Sequence, residues 1–266
     1  MDLGIAGRVC VITGGSRGIG LETARLLRAE DAKVLLVALD AEVLADAAES
    51  LDGGDESIAT LPLDITEPDA GEQMLGAALA EFGGIDVLVN NAGAVRHRDL
   101  FAVPDADWRA QYELNVMAPL RAMKAIAPAM AERGWGRIVN VCSTAAKRPS
   151  QLMPDYSVAK AAELSLSRLF ADHFVKEGVL VNAVCPGAAL TEMWTEPGGL
   201  LDQAIERTGA ADREAALADT SATRPNGRLA TAAEIAAAIV FLCSERASYV
   251  GGAAWSVDAG AVQVII

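Results

Sequence analysis

The sequence predicts a doubly wound α/β fold, a parallel sheet of about seven strands with helices on both faces, built as one domain over residues 1–266. Three observations predict it. Short β-branched runs alternate with Ala-, Leu- and Glu-rich stretches of helical period, the pattern of a sheet wrapped by helices. Apolar residues make up 52% of the chain but aromatics only 5%, which suits helix-on-sheet layers better than the aromatic core of a β-sandwich. With 266 residues, the chain buries a sizeable core and lies near the upper limit for one domain.

The elements follow in chain order. "VCVIT" (9–13) is a near-continuous apolar run, as expected of a parallel strand covered on both faces. It leads through Thr13-Gly14-x-x-x-Gly18-x-Gly20 into the helical stretch "LETARLLRAE". Gly14 permits the tight exit from the strand, Gly18 lets backbone approach a pyrophosphate, and Gly20 lets the helix pack on the sheet. The phosphates would lie at the helix N-terminus, where free N–H groups and the macrodipole favour anions. A glycine motif placed after the first strand of an alternating chain predicts a dinucleotide site.

"KVLLVA" (33–38) is the second strand, and its end reads Ala38-Leu39-Asp40. An acidic group there accepts from a free ribose 2′-hydroxyl, whereas a basic one pairs with a 2′-phosphate. Asp40 either serves that role or caps the following helical stretch "DAEVLADAAES". Arg17, in the glycine loop, is the competing signal for a phosphate. The balance leans slightly to NAD.

"IATLPLD" (58–64), "DVLVNNA" (86–92), "RIVNVCS" (137–143), "LVNAVCP" (180–186) and "AWSVDA" (254–259) complete seven strands. Between them "GEQMLGAALAEF", the long "DWRAQYELNVMAPLRAMKAIAPAMAERG", "SVAKAAELSLSRLFADHFVKEG" and "AAEIAAAIVFLCSE" are each long enough to be a crossover helix. Right-handed crossovers then put the ligand site at the carboxyl ends of the strands. From 188 to 229 the rhythm breaks into a polar, Gly- and Pro-rich excursion with helical stretches and no strand. Its length predicts a lid over the site, with subunit packing as the alternative.

The formal charge of −14 is spread through helical segments, which makes nucleic acid and anionic membranes poor partners. No apolar segment approaches the ~18 residues needed to span a bilayer, and a cytoplasmic location is expected. Cys10, Cys142, Cys185 and Cys243 are widely separated and sit mostly in apolar runs, so buried reduced thiols are expected and no metal site. His97 and His173 lie far apart and are expected in surface or helix roles.

Tyr156 and Lys160, in "PDYSVAK", are one helical turn apart and project to one side. A tyrosine, with a reference pKa of about 10, exchanges protons near neutral pH only if a positive charge stabilises its phenolate, and Lys160 is placed to do that. Ser143 closes its strand and emerges at the sheet's carboxyl edge. Ser143 would then hold a carbonyl oxygen while Tyr156 gives or takes the proton and a nicotinamide supplies or accepts the hydride.

On these motifs the chain resembles the short-chain dehydrogenase/reductase family over essentially its whole length. "TGGSRGIG" is similar to the family's cofactor loop, "NNAG" (90–93) to its fourth-strand motif, and Ser143, Tyr156 and Lys160 to its catalytic group. The resemblance implies a Rossmann-type dinucleotide fold, NAD(P) as cofactor, and hydride transfer between a secondary alcohol and a ketone. It implies that Asn115 joins the catalytic set by holding a water in a proton relay to Lys160. It implies cofactor contacts from Gly14, Ser16, Arg17, Gly18, Ile19 and Gly20, from Ala38, Leu39 and Asp40, and from Asp64 and Ile65 against the adenine. It adds Asn91, Ala92 and Gly93, and Pro186, Gly187, Ala189 and Thr191 near the carboxamide, with Tyr156 and Lys160 on the ribose hydroxyls. A homotetramer or dimer is also implied, built on the helices around 107–132 and 156–176.

The chain departs from that pattern at Ala38 and Leu39, where many NAD users carry an aspartate and many NADP users an arginine, and at Asp31, where glycine is frequent. "RHRDLFAVP", "AKRPSQLMPD" and "EMWTEPGGLL" each follow a strand's carboxyl end and are expected to border the substrate, with Leu152, Met153, Met193 and Trp194 giving it a partly apolar pocket. A 3-oxoacyl-[acyl-carrier-protein] reductase activity is the alternative, since Arg96, Arg98, Lys147 and Arg148 offer a basic patch for an acidic carrier. A non-catalytic dinucleotide sensor is the reading from another class, and retention of all three catalytic side chains argues against it.

Overall fold

The computed structural model describes residues 2–51 and 56–263. Seven parallel strands form one sheet: β1 (Val9–Thr13), β2 (Lys33–Ala38), β3 (Ile58–Pro62), β4 (Val87–Asn90), β5 (Gly136–Val141), β6 (Val179–Pro186) and β9 (Ala254–Val257), in the order β3-β2-β1-β4-β5-β6-β9. All seven predicted strands are present, displaced by at most a few residues. The order reverses between β1 and β4, which opens a crevice at their carboxyl ends.

Alternate residues of each central strand feed two separate cores, because successive side chains point to opposite faces. On one face Cys10, Ile12, Val34, Leu36, Val87 and Val89 pack with α1 (Gly18–Ala29), α2 (Ala41–Ser50) and α10 (Ala232–Cys243). On the other, Val9, Val11, Leu35, Val37 and Leu88 pack with α3 (Ala70–Phe82), α5 (Ala118–Glu132) and α6 (Pro154–Phe174). The inner strands β1, β4, β5 and β6 are buried at every position, whereas the edge strands β3 and β9 keep exposed residues.

Two expectations are corrected. The long helix expected over 107–132 is broken: α4 (Asp105–Tyr112) and α5 are joined by a π-helical turn at Glu113–Met117. The reason lies in the sequence. Pro119 has no N–H to give the Asn115 carbonyl four residues earlier, and the Ala118 N–H bonds the Glu113 carbonyl five residues back. The excursion after β6, expected to hold no strand, carries the two-residue β7 (Ala189–Leu190), paired in parallel with β8 (Ala230–Thr231). Between them lie α7 (Glu192–Thr195), α8 (Leu200–Thr208) and α9 (Arg213–Ala222), whose Trp194, Leu200, Leu201, Ala204 and Ala216 build a small core of their own with Leu229.

Asp31 adopts a left-handed conformation (φ 60°), with its carbonyl accepting from Gly7 N–H at 2.9 Å. That is the turn in which glycine is favoured. All four cysteines are buried and unpaired. Among the described residues no helix is long and apolar enough to cross a membrane.

Candidate active site

One cleft of roughly 1470 Å³ runs along the carboxyl edge of the sheet. The glycine loop forms one end of it. Gly14 and Gly18 both take positive φ (63° and 55°), and a Cβ on Gly20 would lie 2.1 Å from the Gly14 carbonyl oxygen, so strand exit and helix start touch through bare backbone. No side chain caps α1 and no acidic residue stands in its first turn, leaving that N-terminus open to an anion.

"NNAG" acts as the clamp on this loop. The Asn91 side-chain amide donates to the carbonyls of Thr13 (3.0 Å) and Gly14 (3.2 Å), while the backbone N–H groups of Asn91 and Ala92 donate to Thr13 Oγ1 (3.0 and 3.1 Å). Asn90 donates to Asn140 Oδ1 at 2.8 Å, tying β4 to β5. Gly93 passes close beneath the chemistry: a Cβ there would sit 3.3 Å from Asn115 Oδ1 and 3.8 Å from Lys160 Nζ.

Ser143, Asn115, Tyr156 and Lys160 come together from three elements. Ser143 follows β5 and lines the cleft, and its Oγ accepts the Ala145 N–H at 3.0 Å. The Tyr156 hydroxyl lies within hydrogen-bond reach of Ser143, and Lys160 Nζ stands 5.8 Å from the Tyr156 ring centroid. Lys160 is buried, donating to the Val141 carbonyl at 2.9 Å and to Glu163 Oε2 at 2.7 Å. Asn115 is fully buried in the π turn. Its amide donates to Gln111 O (3.0 Å) and Gln111 Oε1 (2.8 Å), and its own Oδ1 has no partner among the described residues.

The electrostatics correct one expectation. Burial pushes the Tyr156 phenol up, and the opposing pull of Lys160 and Ser143 does not overcome it, so the net shift is upward. Burial would lower the Lys160 ammonium, but the Glu163 carboxylate, together with Tyr156 and Cys142, outweighs it and holds the ammonium protonated. The lysine is thus shared between a phenol and a carboxylate.

The other expected cofactor residues border the same cleft: Ser16, Arg17, Ile19, Ala38, Leu39, Asp40, Asp64, Ile65, Pro186, Gly187, Ala189 and Thr191. Three of them are committed elsewhere. Asp40 caps α2, its Oδ1 accepting from Glu42 N (2.9 Å) and Val43 N (3.1 Å), so the capping reading accounts for it. Asp64 Oδ1 accepts from the Thr66 hydroxyl (2.7 Å) and N–H (2.9 Å), which lowers its pKa. Arg17 forms an ion pair with Glu196 of the excursion. Leu39 is 73% exposed and has no charge to offer.

Leu152, Met153, Met193 and Trp194 border the cleft as expected, with Trp194 only 9% exposed in the excursion's own core. Several residues were missed. His97 is not a surface histidine: it lines the cleft, its Nδ1 is buried without a partner among the described residues, and burial followed by the Arg207 charge lowers its pKa. Gln203 and Arg207 of α8 and Arg224 after α9 join it, and Gln203 Oε1 accepts the His97 N–H at 2.7 Å. These residues lie about a hundred positions apart, and no local spacing signals them. Glu163 was also missed, although its place three residues after Lys160 on one helix was a readable signal.

The cradle fits a nicotinamide dinucleotide: an uncapped helix start, glycines where a Cβ would close the space, and an orphaned buried amide oxygen beside Lys160. A family model described as short chain dehydrogenase matches residues 8–198. The chain is 33% identical over 258 residues to the 3-oxoacyl-[acyl-carrier-protein] reductase FabG of Vibrio cholerae serotype O1, covering 97% of this chain and 98% of that protein. It is 34% identical over 260 residues to the 2-keto-3-deoxy-L-fuconate dehydrogenase of Xanthomonas campestris pv. campestris, covering 96% of this chain and 80% of that one. The crystal structure of L-sorbose reductase from Gluconobacter frateurii, complexed with NADPH and L-sorbose, superposes over 100% of both chains with a TM-score of 0.92 at 36% identity.

Proposed function

The chain belongs to the short-chain dehydrogenase/reductase family, an oxidoreductase family, and from that premise we propose that it interconverts a secondary alcohol and a ketone with NADP(H). The observation that carries the proposal is the convergence of Ser143, Tyr156 and Lys160 at the end of one cleft whose other end is the glycine loop. Bound there, the nicotinamide would supply or accept the hydride. The protein's own groups manage the proton. The Ser143 O–H donates to the substrate oxygen, Tyr156 gives its proton to that oxygen in reduction and takes it back in oxidation, and Lys160 turns its remaining N–H toward the ribose hydroxyls. Asn115 stands beside Lys160 with a free oxygen, suited to hold a water that resupplies the proton.

NADP(H) replaces the earlier lean to NAD. Asp40 is spent on its helix cap, and Ala38 and Leu39 leave the ribose pocket without an anion that would repel a 2′-phosphate. Arg17 is the cation in reach, once it leaves Glu196. The NADPH named with the sorbose reductase structure supports the same choice. The segment 188–229 is proposed as a lid hinged on β6 and β8, and a homo-oligomer is proposed on α4 and α6, which expose Tyr112, Val158 and Leu169.

A small hydroxylated ketone is the proposed substrate, met by His97, Gln203, Arg207 and Arg224 on one side and Leu152, Met153 and Met193 on the other. The carrier-protein reductase reading keeps support from its 33% identical relatives. The basic patch it needs is half consumed: Arg98 pairs with Asp107 and Asp155, and Lys147 donates to the Ala254 carbonyl and Ser256. Oxidation of NADPH and NADH against sugar-like ketones, alicyclic ketones and an acyl-carrier thioester tests all of this. Turnover of the first group with NADPH is expected; no turnover of any ketone would overturn the proposal.

A further inference from the structure

Glu163 is a fully buried carboxylate on α6, 1% exposed, with Lys160 Nζ 2.7 Å from its Oε2. Its other neighbour is the Cys142 thiol, next in the chain to Ser143 and also within reach of Cys185 on β6. A buried carboxylate is strongly unfavourable unless paired, and among the described residues Lys160 is its counter-charge. The ammonium in turn gives one N–H to Glu163 and one to the Val141 carbonyl, which leaves one for a ligand.

We propose that Glu163 is a positioning residue for the reaction: its carboxylate fixes the Lys160 ammonium against the end of β5 and partly cancels the field of that ammonium at the Tyr156 phenol. The inference rests on the oxidoreductase reading for its catalytic meaning, while its electrostatic content stands on the geometry. The groups that act on the phenol are Lys160 and Glu163 on α6 and the Ser143 hydroxyl and Cys142 thiol after β5; Cys185 on β6 lies against Cys142 with Lys147 acting on it, and Asp155 on α6 pairs with Arg98 at 3.8 Å. Lys160 is the cation in contact and Glu163 the anion that answers it. Without Glu163, the same ammonium acts on the phenol unopposed and favours the phenolate.

The test is a titration that needs neither substrate nor cofactor. The chain has three tyrosines, and Tyr112 and Tyr249 are exposed, so phenolate absorbance of each protein minus that of its Tyr156→Phe counterpart isolates Tyr156. In Glu163→Gln the Tyr156 midpoint is expected to fall by about 1 pH unit or more, and the rise of alcohol oxidation with pH should move down by the same amount. In Glu163→Asp, whose carboxylate is withdrawn by one methylene, a smaller fall in the same direction is expected. An unmoved Tyr156 midpoint in folded Glu163→Gln overturns the proposal, and if that variant does not fold, an unmoved midpoint in Glu163→Asp does so. A shifted titration with no turnover of any ketone would instead overturn the oxidoreductase reading and leave the electrostatic role standing.

Discussion

The floor of the cleft and its cover are built differently. On the floor, Thr13, Asn90, Asn91, Asn140 and Lys160 are tied to internal partners, and the strands beneath them are fully buried. The cover, 188–229, rests on a small separate core and is laced by exposed ion pairs such as Arg213 with Asp202 and Arg228 with Glu234. It also leaves Arg224 Nε without a partner. A floor so bonded, which keeps Asn115 Oδ1 and one Lys160 N–H for its ligands, holds reacting groups in one geometry, whereas a lightly cored cover would adapt and close. On the proposed reading, chemistry belongs to the first region and selection of substrate to the second.

The largest effect that tests this division is on the floor. Tyr156→Phe is expected to lower kcat by about 10²–10⁴-fold, while NADPH binding followed by fluorescence changes little. Full activity in that variant would break the comparison at its base. Next is Gly20→Ala, which forces a Cβ to within 2.1 Å of the Gly14 carbonyl. A loss of about 1–3 kcal/mol in denaturant unfolding is expected, together with weakened dinucleotide binding.

The cover should answer differently. Trp194→Ala hollows the excursion's own core and is expected to raise the substrate KM about tenfold while the main thermal transition barely moves, as a region with its own core would open separately from the sheet. An equal loss of global stability would show that floor and cover fold as one unit. The pH dependence sharpens the floor's side. Burial has raised the Tyr156 pKa, so the phenol stays protonated through neutral pH. Reduction needs that proton and should be nearly flat from about pH 6 to 9, whereas oxidation needs the phenolate and should climb across the same range. The smallest effect is far from both regions. Asp31→Gly relieves a left-handed turn and should stabilise the fold by about 0.5–1 kcal/mol without touching turnover.

Much of the floor was legible because its signals are local. Apolar runs gave seven strands, glycine spacing gave the loop, and a one-turn separation gave Tyr156 and Lys160 a common face. The π turn at Asn115 was hidden only because the helical period carries across it, although Pro119 already marked the missing hydrogen bond. The cover resisted. His97, Gln203, Arg207 and Arg224 meet through the path of the chain rather than through any spacing within it.

By itself the sequence determined the layers, the crevice at the strands' carboxyl ends and the identity of the proposed proton-handling pair, since period, turn chemistry and side-chain type act over a few residues. Only the tertiary structure decided that Asp40 is a helix cap, that Arg17 rests on Glu196, and that the Tyr156 phenol is raised while Lys160 leans on Glu163. A hydrogen bond needs its partner in place, and the free energy of a charge sums over every neighbour and over the water that burial removes. Neither quantity exists until the whole chain has folded.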